Sequence, residues 1–169
     1  KISKNRIKNT KFTFKKVYSF IRKNIKIKKN LNYLDVGCAN GELLFYLSNN
    51  IKNGNFVGVD FTSKFLSIGK KLLKHNNKVS FECRDIFKYK IKKKFDVVTC
   101  VGTISIFQNI DKILKKLISL VAKNGILIIE GRFNKYKVDA FTYFKDYSYQ
   151  KKVKKENDFN LHSEFTINK

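Results

Sequence analysis

The chain has 169 residues, 43% of them hydrophobic and 14% aromatic, which suits one ordinary domain with a sizeable core and is short for two. That apolar content excludes disorder over most of the length, despite 30% charged residues. No run reaches the ~18 apolar residues of a membrane span, since the longest, 95–107, contains Asp96. Lys and Asn interrupt every apolar stretch near the N-terminus, so no secretory signal is read there.

Lys and Arg number 37 against 13 Asp and Glu, a net charge of +24, and residues 1–33 carry twelve bases and no acid. Such an arm can meet the phosphates of a nucleic acid, an anionic membrane surface or an anionic substrate. Against a dedicated phosphate reader stands the scarcity of Arg, the residue that forks onto phosphate and guanine, which occurs only four times. A chain crowded with Lys, Asn, Ile, Phe and Tyr and lacking Pro and Trp also follows from AT-rich codon usage. Cys38, Cys83 and Cys100 are isolated and lack metal-ligand spacing, which points to a reduced, cytoplasmic chain without a metal. Methionine is absent even at position 1, so the chain is expected to be a portion of a longer protein.

In chain order, Phe14, Val17, Phe20 or Ile21, and Ile25 recur at helical spacing and predict a basic helix over about 12–28, part of an arm spanning 1–30. Leu31 to Val36 reads as a short buried strand ending in a glycine-containing turn. Leu43, Leu44 and Leu47 form a helix face closed by Asn53-Gly54, and Phe56 to Val59 is a second strand stopped by Asp60. Thr62 is placed to cap a helix carrying Phe65, Ile68, Leu72 and Leu73, with His75 near its end. Val79 to Cys83 alternates as a strand, and Phe95 to Val101 is a continuous apolar one. Ile110, Ile113, Leu114, Leu117, Ile118 and Val121 make an amphipathic helix opened by Asn109 or Asp111 and ended by Asn124-Gly125, before a strand over Ile126 to Ile129.

Strands apolar on both faces and alternating with helices predict an α/β fold, a doubly wound, mostly parallel sheet. Ligands of such sheets sit beyond the carboxyl ends of the strands. After the first strand stands Asp35-Val36-Gly37-Cys38-Ala39-Asn40-Gly41, whose small residues at 37, 39 and 41 allow a sharp turn and a close backbone approach to a ligand. This spacing is neither the dinucleotide fingerprint nor the P-loop. Asp60 ends the second strand, where its two carboxylate oxygens suit a ribose cis-diol. Asp85 follows the third, where it can accept from an adenine amino group while the next backbone N–H donates to the ring. Either Asp, taken singly, is also an ordinary strand end or turn.

As a set these residues resemble the class I S-adenosylmethionine-dependent methyltransferases, over about 31–132. Leu34 to Gly41 is similar to their first motif with Ala in the middle, Asp60 to their ribose-binding acid and Asp85 to their adenine-side acid. Phe95 to Cys100 resembles their fourth strand, and Leu120 to Glu130 their next helix end, hairpin and fifth strand. The resemblance implies a Rossmann-like fold and S-adenosylmethionine as cofactor. Asp35, Gly37, Cys38, Ala39 and Gly41 would hold its methionine end, Asp60 and Phe61 its ribose, and Asp85 and Ile86 its adenine. Cys100, Val101 and Gly102 would line the pocket near the sulfonium.

The fourth strand ends Cys100-Val101-Gly102-Thr103, without the Pro-Pro motif of base-amine methyltransferases or the Asp of metal-assisted catechol enzymes. No catalytic base is assigned. His162, Glu130, Asp139, Tyr136, Tyr143, Tyr147 and Tyr149 are candidates by type alone. Residues 133–139 and 160–167 resemble methyltransferases of bacterial surface-polysaccharide clusters, which implies a sugar-like small acceptor. Two other readings stay open: an RNA methyltransferase holding phosphates with the basic arm, and a non-catalytic cofactor-binding module. Only 39 residues follow Glu130, so the last one or two strands of a full class I sheet are expected to be missing from residues 133–169.

Overall fold

A computed structural model describes residues 10–25, 30–91, 93–131, 133–134 and 167–168. Five parallel strands form the sheet: β1 (Leu31–Val36), β2 (Gly54–Asp60), β3 (Val79–Cys83), β4 (Phe95–Val101) and β5 (Val121–Glu130), in spatial order β3-β2-β1-β4-β5. Among the described residues four α-helices accompany them: α1 (Phe12–Asn24), α2 (Glu42–Asn50), α3 (Ser63–Leu72) and α4 (Ile110–Leu120). The strand order reverses at β1, which lies between β2 and β4, so the switch point expected to bind ligands is the β1 end. The doubly wound α/β reading therefore holds.

The two faces of the sheet carry separate cores, because successive residues of a strand point to opposite sides. On the first face Leu31, Tyr33, Phe56 and Val97 pack with Phe14, Val17 and Ile21 of α1 and Leu43, Leu44 and Leu47 of α2. On the second, Leu34, Val36, Val59, Val98 and Cys100 meet Ile113, Leu117 and Leu120 of α4. Asp35, Asp60, Thr99 and Val101 share the first face by the same alternation, on the side closed by α1 and α2.

Three boundaries differ from the sequence reading. α1 stops at Asn24, four residues before the expected end. α2 ends at Asn50, ahead of Asn53, and Gly54 already belongs to β2, because its amide neighbourhood pairs with Leu31 in register. α4 ends at Leu120 and passes directly into β5, so Asn124-Gly125 does not close the helix. Instead Phe95 pairs with Val121 and Val97 with Ile126, and the intervening residues bulge out of the ladder around Asn124, whose φ is +67°. Asn109 caps α4 as expected, its side chain accepting from Lys112 N at 2.8 Å. Thr62 stands at the N-cap of α3 without a side-chain cap bond; its carbonyl accepts from Phe65 N, and its own N–H donates to Asp60 Oδ1.

Phe133–Asn134 (β6) pairs parallel with Ile167–Asn168 (β7) in a separate two-stranded sheet. The rest of the expectation about missing final strands lies outside the described residues. The basic arm is described only over residues 10–25, and there α1 is part of the core: Ile21 is fully buried while Phe20 beside it is half exposed. Ile21→Ala is expected to lower unfolding stability by about 2–5 kcal/mol and Phe20→Ala by less than about 0.5 kcal/mol, as chemical denaturation would measure. Equal losses would mean that α1 does not dock as described.

Candidate functional site

The chain leaves β1 through a bend in which Gly37, Ala39 and Gly41 all have positive φ, at +73°, +47° and +78°. At Gly37 a Cβ would come within 2.5 Å of Thr103 Oγ1, so the left-handed turn and the contact both require glycine. Ala39 occupies a region costly for an L-residue. It is held there by Asp60, whose Oδ2 accepts from Ala39 N at 2.9 Å while Oδ1 accepts from Thr62 N at 2.8 Å. Gly37 N donates to Val59 O at 2.8 Å, which fastens the start of the bend to the same strand end. Gly41 then serves as the N-cap of α2.

Beside this bend opens a cavity of about 340 Å³. Asp35, Gly37, Cys38, Ala39, Val101 and Gly102 line it, all of them sequence-predicted. Lys11 and Thr13 from the N-terminal segment, Glu42 from α2 and Glu130 from the end of β5 complete its charged and polar wall. Lys11 Nζ stands 3.3 Å from Glu42 Oε2, an ion pair between the arm and the first turn of α2. Sequence reasoning missed Lys11 and Thr13, and also Phe14, Asn40, Glu42 and Leu43, as lining residues. Only the packing of α1 brings the first two to the cavity, and Glu42 follows the bend directly.

The remaining predicted residues do not line this cavity. Gly41 turns the chain into α2, and Asp60 braces the bend from behind while itself only 9% exposed. Phe61 is largely exposed. Asp85 is exposed, its Oδ1 accepting from Phe87 N at 2.9 Å as the cap of a short 3-10 turn, and Ile86 is buried in that turn. Cys100 departs from the expected lining role: strand alternation turns its thiol into the second core, opposite the cavity. The backbone at Gly102, whose N–H donates to Glu130 O at 3.0 Å, forms that wall instead. His75 is exposed beyond α3, and His162, Asp139 and the four tyrosines named as candidate bases lie outside the described residues. Among the described residues no group of three or more His, Cys, Asp or Glu can hold a metal ion.

Electrostatics at the bend are dominated by burial. Desolvation raises the Asp35 carboxyl to about 7, and Asp60 adds to the rise, against a hydrogen bond from Thr99 that lowers it. Burial pushes the Cys38 thiol up as well, with Asp35 and Asp60 reinforcing it, and the Cys100 thiol to about 12. Both are neutral, unreactive thiols at physiological pH.

The cavity, the bend and the two acids coincide with a family match. The chain fits the model described as "Methyltransferase domain" over residues 27–165. It belongs to the methyltransferase-domain family. Its sheet is that of class I S-adenosylmethionine-dependent methyltransferases, as superposition on the plantazolicin methyltransferase BpumL shows. That structure, solved with SAH and a pentazolic desmethylPZN analogue, matches at TM-score 0.63 and 25% identity over 77% of this chain and 52% of BpumL. The chain is 32% identical over 110 residues to the ubiquinone biosynthesis O-methyltransferase of Pelagibacter ubique, covering 64% of this chain and 45% of that protein. To the carboxy-S-adenosyl-L-methionine synthase of Helicobacter pylori it is 30% identical over 115 residues, 65% of this chain and 48% of that one. The chain thus spans less than half the length of these curated relatives.

The raised Asp35 carboxyl has a consequence for stability. Its folded value of about 7 lies above the ordinary 3.8, so the native state holds more protons than the unfolded chain between those values. The stability it contributes is full below pH ~4 and is lost as the pH rises towards ~7. The unfolding free energy of the wild type minus that of Asp35→Asn should therefore fall across this window, and a flat difference would remove the burial argument.

Proposed function

We propose that the chain is the donor-binding domain of an S-adenosylmethionine-dependent methyltransferase that acts on a small, hydroxyl-bearing, sugar-like acceptor in the cytoplasm. The observation that carries the donor part is the meeting, at the switch point of the sheet, of a left-handed bend with two buried carboxylates, Asp35 and Asp60, beside one cavity. The residues fit the cofactor. About 340 Å³ lies within the range of small-molecule sites.

When bound, S-adenosylmethionine supplies an electrophilic methyl group on a sulfonium centre. The work of the protein is then to align the reactants and exclude water. Asp35, at the cavity wall, suits the ammonium of the methionine end. Asp60 accepts one N–H at each oxygen, and each oxygen keeps a second lone pair for a ribose hydroxyl. Asp85 stands at the next strand end, in reach of the adenine side by the family's pattern, and Val101 and Gly102 border the reacting end.

The sugar-like acceptor is supported by the resemblance of residues 133–139 and 160–167, most of which lie outside the described ones. An acceptor hydroxyl must lose its proton as it attacks. Glu130, at the cavity wall beside Gly102, is the carboxylate we assign to receive it. The free thiols of Cys38, Cys83 and Cys100 support a reducing, cytoplasmic setting.

Calorimetric titration of the wild type with S-adenosylmethionine should show binding, and Asp60→Ala should lose at least about tenfold in affinity, with circular dichroism reporting that the fold is kept. Equal binding by the variant counts against the assignment. Glu130→Gln should keep donor affinity yet lose about 10²–10⁴ in turnover with a hydroxyl acceptor, measured by product mass. Tight RNA binding that persists at physiological salt would instead favour a nucleic-acid acceptor.

A further inference from the structure

Behind Asp35 lies a chain of two buried hydroxyls. Tyr33 and Thr99 are fully buried and Asp35 nearly so. The Tyr33 hydroxyl is 2.6 Å from Thr99 Oγ1, and Thr99 Oγ1 is 2.7 Å from Asp35 Oδ1. Thr99 Oγ1 also lies 3.3 Å from Leu34 O, a longer and weaker alternative for its proton.

The direction of the protons follows from satisfaction. Among the described residues Thr99 is the one partner recorded for the Tyr33 hydroxyl, and a buried O–H left without an acceptor is costly. Tyr33 therefore donates to Thr99. With its lone pair so engaged, Thr99 turns its own proton to the nearest acceptor, the Asp35 carboxylate. No protein partner among the described residues is recorded for Oδ2 of Asp35, while the residue itself lines the cavity.

We propose that Tyr33 and Thr99 are positioning residues for Asp35, a relay that fixes one carboxylate oxygen and favours the charged form an ammonium-bearing ligand requires. This rests on the reading of the cavity as the methyl-donor site. The charge balance around Asp35 makes such help necessary. Asp60 from the end of β2 opposes its ionisation, as does burial. From the bend Cys38, and from β4 Cys100, contribute only neutral thiols. Across the cavity Lys11 is already paired with Glu42, and Glu130 adds another carboxylate. The Thr99 hydroxyl is thus the group in contact with Asp35 that favours its anion.

The experiment is a carbon-detected NMR titration of the aspartate carboxyls in the full chain, with and without S-adenosylmethionine. The wild type, Thr99→Val, Thr99→Ser and Tyr33→Phe are compared. In the free protein, Thr99→Val should raise the Asp35 midpoint by about one pH unit or more, because a hydrogen bond to a charged group is lost. Thr99→Ser should restore it, and Tyr33→Phe should move it part of the way. With S-adenosylmethionine the wild-type midpoint should fall. The donor affinity of Thr99→Val should be about tenfold weaker than wild type at neutral pH and converge on it in alkali.

An Asp35 midpoint unchanged by Thr99→Val, in a variant that gives a folded spectrum, overturns the relay. Should Thr99→Val not fold, a wild-type midpoint in Thr99→Ser with an unshifted Tyr33→Phe would overturn the ordered chain in the same way. A shifted midpoint in the free variants together with no donor binding by the wild type overturns the donor-site reading, and with it the purpose assigned to the relay.

Discussion

One carboxylate holds two backbone amides that the chain cannot otherwise bring together. Asp60, at the end of β2, accepts from Ala39 in the bend after β1 and from Thr62 at the start of α3. Charge-assisted bonds of this kind are stronger than neutral ones. They offset the cost of leaving a non-glycine residue, Ala39, at φ +47°. The bend is thus fixed to the neighbouring strand and not only to itself. A backbone tied down in this way leaves less ordering for binding to supply.

The two faces of the sheet divide the labour. α4 closes the second face with Ile113, Leu117 and Leu120 on Val98 and Cys100, an apolar contact with no part in the cavity. The first face carries the polar groups: Asp35, Thr99 and Tyr33 buried in a row, with α1 and α2 packed over the apolar residues beside them. Burying polar groups is tolerable only if each is bonded, and among the described residues no buried side-chain nitrogen or oxygen lacks a partner. The result is an acid raised to about 7, close to the point where a small change of surroundings alters its charge.

Much of the positive charge remains on the surface. Lys15, Lys16 and Lys23 of α1 are exposed, and so is Lys11, which pairs with Glu42 at the cavity. The N-terminal segment thus serves the site through one lysine and one threonine and the core through its apolar stripe. Among the described residues, no helix is long and apolar enough to cross a membrane.

The fold was legible because its signals are local. β1, β3 and β4 fall on the residues where runs of Leu, Val, Ile and Phe suggested strands, and the α4 cap on Asn109 is written in a single side chain. The bend after β1 was legible for the same reason, since small residues at 37, 39 and 41 are what a left-handed bend admits. What the linear order determined, then, was the element pattern, the bend and the acids at successive strand ends. Tertiary structure alone decided which of those residues share a cavity. It turned Cys100 to the opposite core by one step of strand alternation and spent Asp85 Oδ1 on a local turn. It carried Lys11 and Thr13 in from a distant helix, and it aligned Tyr33, Thr99 and Asp35 by pairing β1 with β4 in register. Contacts between residues more than sixty positions apart leave no periodic trace in a sequence, because only the packing of elements brings them within hydrogen-bonding distance.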